Sequence, residues 1–178
     1  MKNLVHKIIA KPYLEWFRIV PAITDELKKE SFKIRHKVYC EELQYEPVHP
    51  SGLETDNFDD NSMHLLIQHR VSGKYIGSVR MIFGNKLPFL SHFNEKELKI
   101  HPDTAGLSAE ISRLAVLREF RNRKGEAATP AGISEYSFAD QRIKNKGEGT
   151  RFPYVPLGLY LGLLSWAIEE GVETLFLL

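Results

Sequence analysis

Four groups of polar residues in the 178-residue sequence have types and spacings that suit chemistry. An acidic run from Glu54 to Asp60 holds Asp56 and Asp59. Arg35 and Arg80 each fall inside an otherwise apolar pattern. Glu110 and Arg113 lie three apart in a strand-like stretch with Ser112 between them. Arg118, Arg121, Arg123 and Lys124 form a basic run followed by Gly125. Carboxylates and guanidiniums of this kind move protons, hold charged substrate groups and steady developing charge. A calcium loop is excluded for the acidic run, because Phe58 occupies the third ligand position counted from Asp56 and Asn61 stands where the turn glycine belongs. The seven histidines lack metal-ligand spacing, so no metal is expected. His64, at the start of a strand, reads as a hydrogen-bonded structural histidine. Cys40 reads as lying on the polar face of a helix with no histidine at fixed spacing, and is not taken as a nucleophile.

The elements that must position these residues follow from periodicity and punctuation. Trp16 to Val20 reads as a strand closed by Pro21, and Thr24 as the N-cap of a helix from about Asp25 to Leu43. On that helix Leu27, Ile34 and Val38 share one sector, with Phe32, Tyr39 and Leu43 beside it. Lys29, Lys33, Lys37 and Gln44 are opposite. Arg35 falls within the apolar side, where an unpaired guanidinium is costly to desolvate, so a carboxylate, phosphate or carbonyl partner is expected. Glu46 to Asn61 reads as a long loop of the kind that carries function. His64 to His69 and Lys74 to Phe83 read as a hairpin turning at Val71, Ser72 and Gly73. Within it Arg80 is expected to share a face with Ile76, Ser78 and Ile82, against Val79 and Met81. Asn85 to Leu107 is irregular, with a short helix near Glu95. Ala109 to Val116 reads as a strand, Glu119 to Arg151 as a polar, basic segment, Val155 to Glu170 as an apolar helix ended by Gly171, and Glu173 to Leu178 as a buried strand. This order predicts an α/β (α+β) domain with a mixed central sheet and helices on both faces.

Composition narrows the classes. With 43% hydrophobic and 26% charged residues and a net charge of +1, wholesale disorder, collagen and a disulfide scaffold are disfavoured, and no nucleic-acid partner is expected. The apolar stretches Val155 to Ile168 and Val172 to Leu178 are too short for a membrane span, and Met1 to Lys11 lacks a signal-peptide pattern, so a cytoplasmic location is expected.

The string Phe32 to Glu46, FKIRHKVYCEELQYE, then Glu54-Thr55-Asp56-Asn57-Phe58-Asp59 with Ser62-Met63-His64, Gly77-Ser78-Val79-Arg80, and Glu110 to Val116 occur in one order. Together they resemble the acyl-homoserine-lactone (autoinducer) synthases. Within that superfamily the closer resemblance is to the N-acyl amino acid synthase branch, which includes the acyltransferases associated with PEP-CTERM exosortase systems. Tyr45 stands where the lactone synthases usually carry tryptophan, and Tyr39 where they usually carry phenylalanine. The implied fold is that of the GNAT acyltransferases, with residues 1–178 as one domain. The family continues past the strand at Glu173 to Leu178 with at least one helix and two strands, so the chain is expected to lack the last strands of the fold.

The resemblance implies attack of an amine on an acyl thioester carried by phosphopantetheine, on an acyl carrier protein or on coenzyme A, with no permanently bound cofactor. The acceptor would be an amino acid and the product an N-acyl amino acid. A lactone synthase using S-adenosylmethionine, and a catalytically inactive acyl- or carrier-binding module, are the alternatives. Glu110 is implied as general base, with Ser112 and Arg113 beside it at the catalytic centre. A β-bulge near Ile111 or Ser112 is expected to turn Glu110 and Arg113 to one side and to free a backbone N–H for the thioester carbonyl. Arg35, Tyr39, Tyr45, Asp56, Asp59 and Arg80 are implied at the amine site, Arg35 and Arg80 either touching substrate or clamping the acidic loop. Arg118, Arg121, Arg123, Lys124 and Gly125 fall where the donor's pyrophosphate binds. A second basic group, Arg142, Lys144, Lys146 and Arg151, would suit an acidic carrier protein.

Overall fold

The computed structural model describes residues 11–84, 87–91, 107–121 and 155–177. The chain enters through α1 (Lys11–Trp16) and β1 (Phe17–Pro21). Thr24 then takes an extended conformation and its hydroxyl accepts the Leu27 N–H at 3.3 Å, capping α2 (Asp25–Arg35). The expected helix continues, but its last part, His36–Glu42, widens into a π-helical turn in which the Leu43 N–H reaches the Val38 carbonyl. After the loop, a short 3₁₀ turn at Asp59–Asn61 leads into β2 (Ser62–His69), and the hairpin turn holds Gly73 at φ +70° before β3 (Tyr75–Phe83). There follow α3 (Pro88–Ser91), β4 (Leu107–Val116), α4 (Arg118–Arg121), α5 (Val155–Glu169) and β5 (Val172–Leu177). Gly171, at φ +72°, ends α5 as expected. The helix anticipated near Glu95 falls outside the described residues.

The strands form one sheet in the order β1-β2-β3-β4-β5. Pairing is antiparallel from β1 to β4 and parallel between β4 and β5, the arrangement that a crossover through α5 requires. One face packs against α5: Leu65, Ile67, Val79, Met81, Ala109 and Ile111 meet Val155, Leu159, Leu163 and Ala167. The other packs against α2, with Leu66 and Ala115 against Ile34 and Val38.

Two irregularities set which side chains face the helix α2. In β3 an extra residue lies between the pairs Ile67↔Gly77 and Gln68↔Tyr75. The alternation slips there, and Ile76 packs with Val79 and Met81 rather than beside Arg80 as the simple two-residue period suggests. In β4 the pairs Ser78↔Ala115 and Arg80↔Ser112 leave Arg113 and Leu114 opposite Val79 alone. The bulge therefore lies just beyond the expected Ile111 or Ser112.

Cys40 corrects another expectation. It is 2% exposed, because loop residues fold back over that side of the helix: the His49 N–H reaches His36 Nε2, and the Glu54 N–H reaches the Phe32 carbonyl. Burial pushes its thiol pKa up, which disfavours the nucleophilic thiolate.

Helix α1 sits on α5 because position 158 has no side chain. A Cβ on Gly158 would fall 1.9 Å from the Tyr13 hydroxyl oxygen. That hydroxyl is buried without a hydrogen-bond partner. Tyr13→Phe is therefore expected to raise unfolding free energy by about 1 kcal/mol. Gly158→Ala is expected to lower it by about 2 kcal/mol. Urea denaturation of the two variants checks both signs.

Candidate functional site

Between α2, the acidic loop, β3 and β4, three arginines and three carboxylates close into a ring. Arg35 Nε donates to Glu54 Oε2, and its Nη1 and Nη2 donate to the two Asp59 oxygens at 2.6 and 3.2 Å. Arg80 Nη1 donates to Asp59 Oδ1 at 2.8 Å and to Asp56 Oδ1 at 2.5 Å. Arg113 Nη2 lies 3.4 Å from Asp56 Oδ2, and Arg113 Nε donates to Glu54 Oε1 at 3.1 Å. The circuit Arg113, Glu54, Arg35, Asp59, Arg80, Asp56 thus returns to Arg113. The partners expected for Arg35 and Arg80 are present, and the acidic loop supplies them.

Arg35 is 0% exposed and Arg80 1%, whereas Arg113 keeps 29% of its side chain exposed and Asp56 24%. One corner of the ring therefore reaches solvent. Burial opposes charge on Asp59, but the hydrogen bonds and charge of Arg35, aided by the Asp56 N–H and Arg80, hold its carboxyl below the usual range. The Asp56 N–H to Asp59 Oδ2 bond, 2.8 Å, and the Phe58 N–H to Asp56 Oδ1 bond, 2.9 Å, also fold the loop on itself.

The β4 bulge brings the strand's polar groups to this side. Arg113 takes φ +53°, a left-handed backbone rare for a residue with a side chain. Ser112 Oγ accepts from Arg80 Nε at 3.2 Å, tying the ring to β4. Glu110 pairs with Ile82 two positions before Ser112, so strand alternation puts it on the same side. It is buried, and its Oε2 accepts the Phe89 N–H at 2.7 Å. Tyr39 reaches the bulge from the π-helical turn. Its hydroxyl donates to the Leu114 carbonyl at 2.7 Å, and the Arg113 guanidinium stands 5.7 Å from its ring centre. Burial pushes the Tyr39 pKa up to about 12, so the hydroxyl keeps the proton that it donates. Tyr45 is 74% exposed on the loop beyond, where its N–H bonds the Tyr39 carbonyl at 2.8 Å.

Behind the ring lies a second polar chain. Ser31 Oγ is 2.5 Å from Ser78 Oγ and 3.3 Å from His64 Nδ1. His64 Nε2 faces Asp59 Oδ1 at 3.6 Å. His64 thus has the hydrogen-bond partner expected of it, Ser31, and burial pushes its pKa down to about 4.

On the far side of the bulge, Glu42 accepts the Arg118 N–H at 3.2 Å and pairs with Arg121 Nη2. Of the basic run, Arg118 and Arg121 are described. Arg123, Lys124 and Gly125 lie outside the described residues, as do Arg142, Lys144, Lys146 and Arg151. Among the described residues no cluster of His, Cys, Asp and Glu is arranged to hold a metal ion, and no helix is long and apolar enough to cross a membrane. Sequence reasoning missed two members of the site. Glu54 could have been found as the first acid of the run carrying Asp56 and Asp59. Glu42 carries no signal, since it resembles any exposed helix glutamate.

A family model described as the acetyltransferase (GNAT) domain matches residues 34–130. Among solved structures the chain is similar to FeeM, an N-acyl amino acid synthase from uncultured soil microbes. Identity is 13% and the TM-score 0.58, over 90% of this chain and 70% of that one. It is also similar to the acyl-homoserine-lactone synthase LasI, at 17% identity and TM-score 0.56, over 89% of this chain and 70% of that one. Both likenesses are of fold. No curated protein matches the sequence.

Two outcomes follow for stability. Between pH 6.5 and about 4 the unfolded chain takes up a proton that buried His64 refuses, so stability falls as pH drops through that window. The loss reaches about 3 kcal/mol at the lower end. Denaturant midpoints measured from pH 7 to 4 should show it, with a shallower fall for His64→Gln. Asp59→Asn leaves Arg35 and Arg80 with an uncompensated charge in the interior and is expected to cost about 3 to 5 kcal/mol at pH 7 in the same assay.

Proposed function

The chain belongs to the GNAT acetyltransferase family and is an acyltransferase of that type, and from that premise we propose that it moves a fatty acyl group from a carrier-protein thioester to the amine of an amino acid. In this reading residues 1–178 act as one catalytic domain in the cytoplasm, of the kind associated with exosortase systems. The observation that carries the reading is the exposed corner of the ion ring. A guanidinium and a carboxylate, Arg113 and Asp56, stand side by side at the surface, while the other four members are buried. That pair complements the carboxylate and ammonium of a free amino acid.

The same reading assigns the remaining roles. Arg35 and Arg80, with every named donor turned to a carboxylate or to Ser112, clamp the loop and hold Asp56 and Arg113 in place. Tyr45 borders the acceptor, and Tyr39 stands behind it against the bulge. Glu110, on the same side of β4, takes the proton from the attacking ammonium through a bound water. A bulge leaves its extra residue out of the ladder, so a backbone N–H at Arg113–Leu114 is available to polarise the thioester carbonyl. Attack of the amine nitrogen forms the amide bond, breaks the carbon–sulfur bond and returns the pantetheine thiol with a proton. Arg118 and Arg121, with Arg123, Lys124 and Gly125, would receive the donor's phosphates. Acyl-coenzyme A shares that arm and is the second donor to test.

The test incubates the protein with acyl carrier protein bearing a long acyl chain, with and without a panel of amino acids, and reads N-acyl products by mass spectrometry. An N-acyl amino acid is expected. Product formed only with S-adenosylmethionine would assign a lactone synthase instead. Glu110→Gln is expected to lower turnover by about 100-fold with carrier binding retained; equal loss of both removes Glu110 from the role of base.

A further inference from the structure

From the contacts around the β4 bulge we infer that Tyr39 is a positioning residue for the acyl-transfer step, acting on the bulge rather than on the substrate. This rests on the reading above and refines it. Two contacts from one side chain meet the two bulged residues. The hydroxyl holds the Leu114 carbonyl at 2.7 Å, and the ring lies beneath the Arg113 guanidinium, 5.7 Å from its centre.

The Leu114 carbonyl shares its planar peptide with the Ala115 N–H, so holding it fixes the peptide that closes the bulge and limits how the adjoining Arg113–Leu114 peptide can turn. The preceding residue, Arg113, is in a left-handed conformation that a non-glycine residue holds only when its surroundings insist. The ion ring grips the end of its side chain through Glu54 and Asp56, and the Tyr39 ring supports the guanidinium plane. Without the hydroxyl, the Leu114 carbonyl would lose its bond to the helix and the aim of the bulge would loosen.

The π-helical turn carries a second contact to the chain that leaves β4. Three residues beyond Tyr39, Glu42 holds the Arg118 N–H and Arg121. The widened turn thus braces β4 at the bulge and the segment just past it. A phenylalanine at 39 would keep the ring and lose the hydroxyl, so Tyr39→Phe separates the two contacts.

The experiment compares wild type with Tyr39→Phe in two measurements. In steady-state acyl transfer, kcat is expected to fall about tenfold, the equivalent of one hydrogen bond of about 1.4 kcal/mol. KM for donor and acceptor should each stay within about twofold of wild type, because the binding groups remain. In amide hydrogen exchange, protection is expected to drop in residues 112–117 and to stay unchanged in β2. Unchanged kcat with unchanged exchange overturns the inference, as does an equal loss of protection across the sheet, which marks a general loss of stability. If wild type forms no N-acyl product from any donor, the acyl-transfer reading fails on its own. The exchange measurement then still decides whether Tyr39 braces the bulge.

Discussion

Burial of the Arg35 guanidinium is the constraint from which the rest of the site follows. A charge with no contact with water survives in a protein interior only if carboxylates meet it with good geometry. Glu54 and Asp59 do so, and both come from the loop between α2 and β2. That loop is therefore anchored to α2 rather than draped over the surface. Asp59 is shared with Arg80, and Arg80 passes the restraint to Asp56 and Ser112. Each link satisfies a charge that the previous link left over. The sequence of pairings ends at Arg113 and Asp56, the two partly exposed members, where water begins to compete.

The sheet contributes a second constraint of a different kind. A regular β4 would send Arg113 to the face packed by α5, into the apolar layer that Val155, Leu159 and Leu163 form there. One extra residue reverses its direction. The same irregularity keeps Leu114 and Val116 on the α5 side and Ala115 on the α2 side, so both cores are filled on either side of the bulge. The cost is a left-handed arginine, and the contacts around it hold that conformation in place.

Much of this was legible in the sequence because it rests on local rules. Thr24 before an amphipathic run, Gly73 in a hairpin and Gly171 after a helix each report a backbone requirement with a known residue preference. Arg35 within an apolar sector signalled a partner, though the pattern could not choose among carboxylate, phosphate and carbonyl. The bulge was legible only through the resemblance, since alternation alone puts Glu110 and Arg113 on opposite faces. What escaped was long-range. Nothing near Cys40 indicates that residues 46–54 return to cover it, and nothing near Ile76 shows that its strand gains a residue relative to β2. Glu42 is invisible for the same reason: its partners, Arg118 and Arg121, are remote in the chain and near only in the folded protein.

The left-handed backbone at Arg113 bears on how such a site can evolve. Glycine would suit the dihedral angle but remove the fork held by Glu54 and Asp56. Lysine would keep the charge but replace a planar fork with a point charge. Asparagine tolerates the backbone yet is too short to span both carboxylates. No single replacement meets both demands, so sequence change has little room at this position. The neighbouring Glu46, 3.5 Å from Arg113 and open to water, carries no such double duty. Substitutions would accumulate there more freely, around a corner of the ring that itself stays fixed.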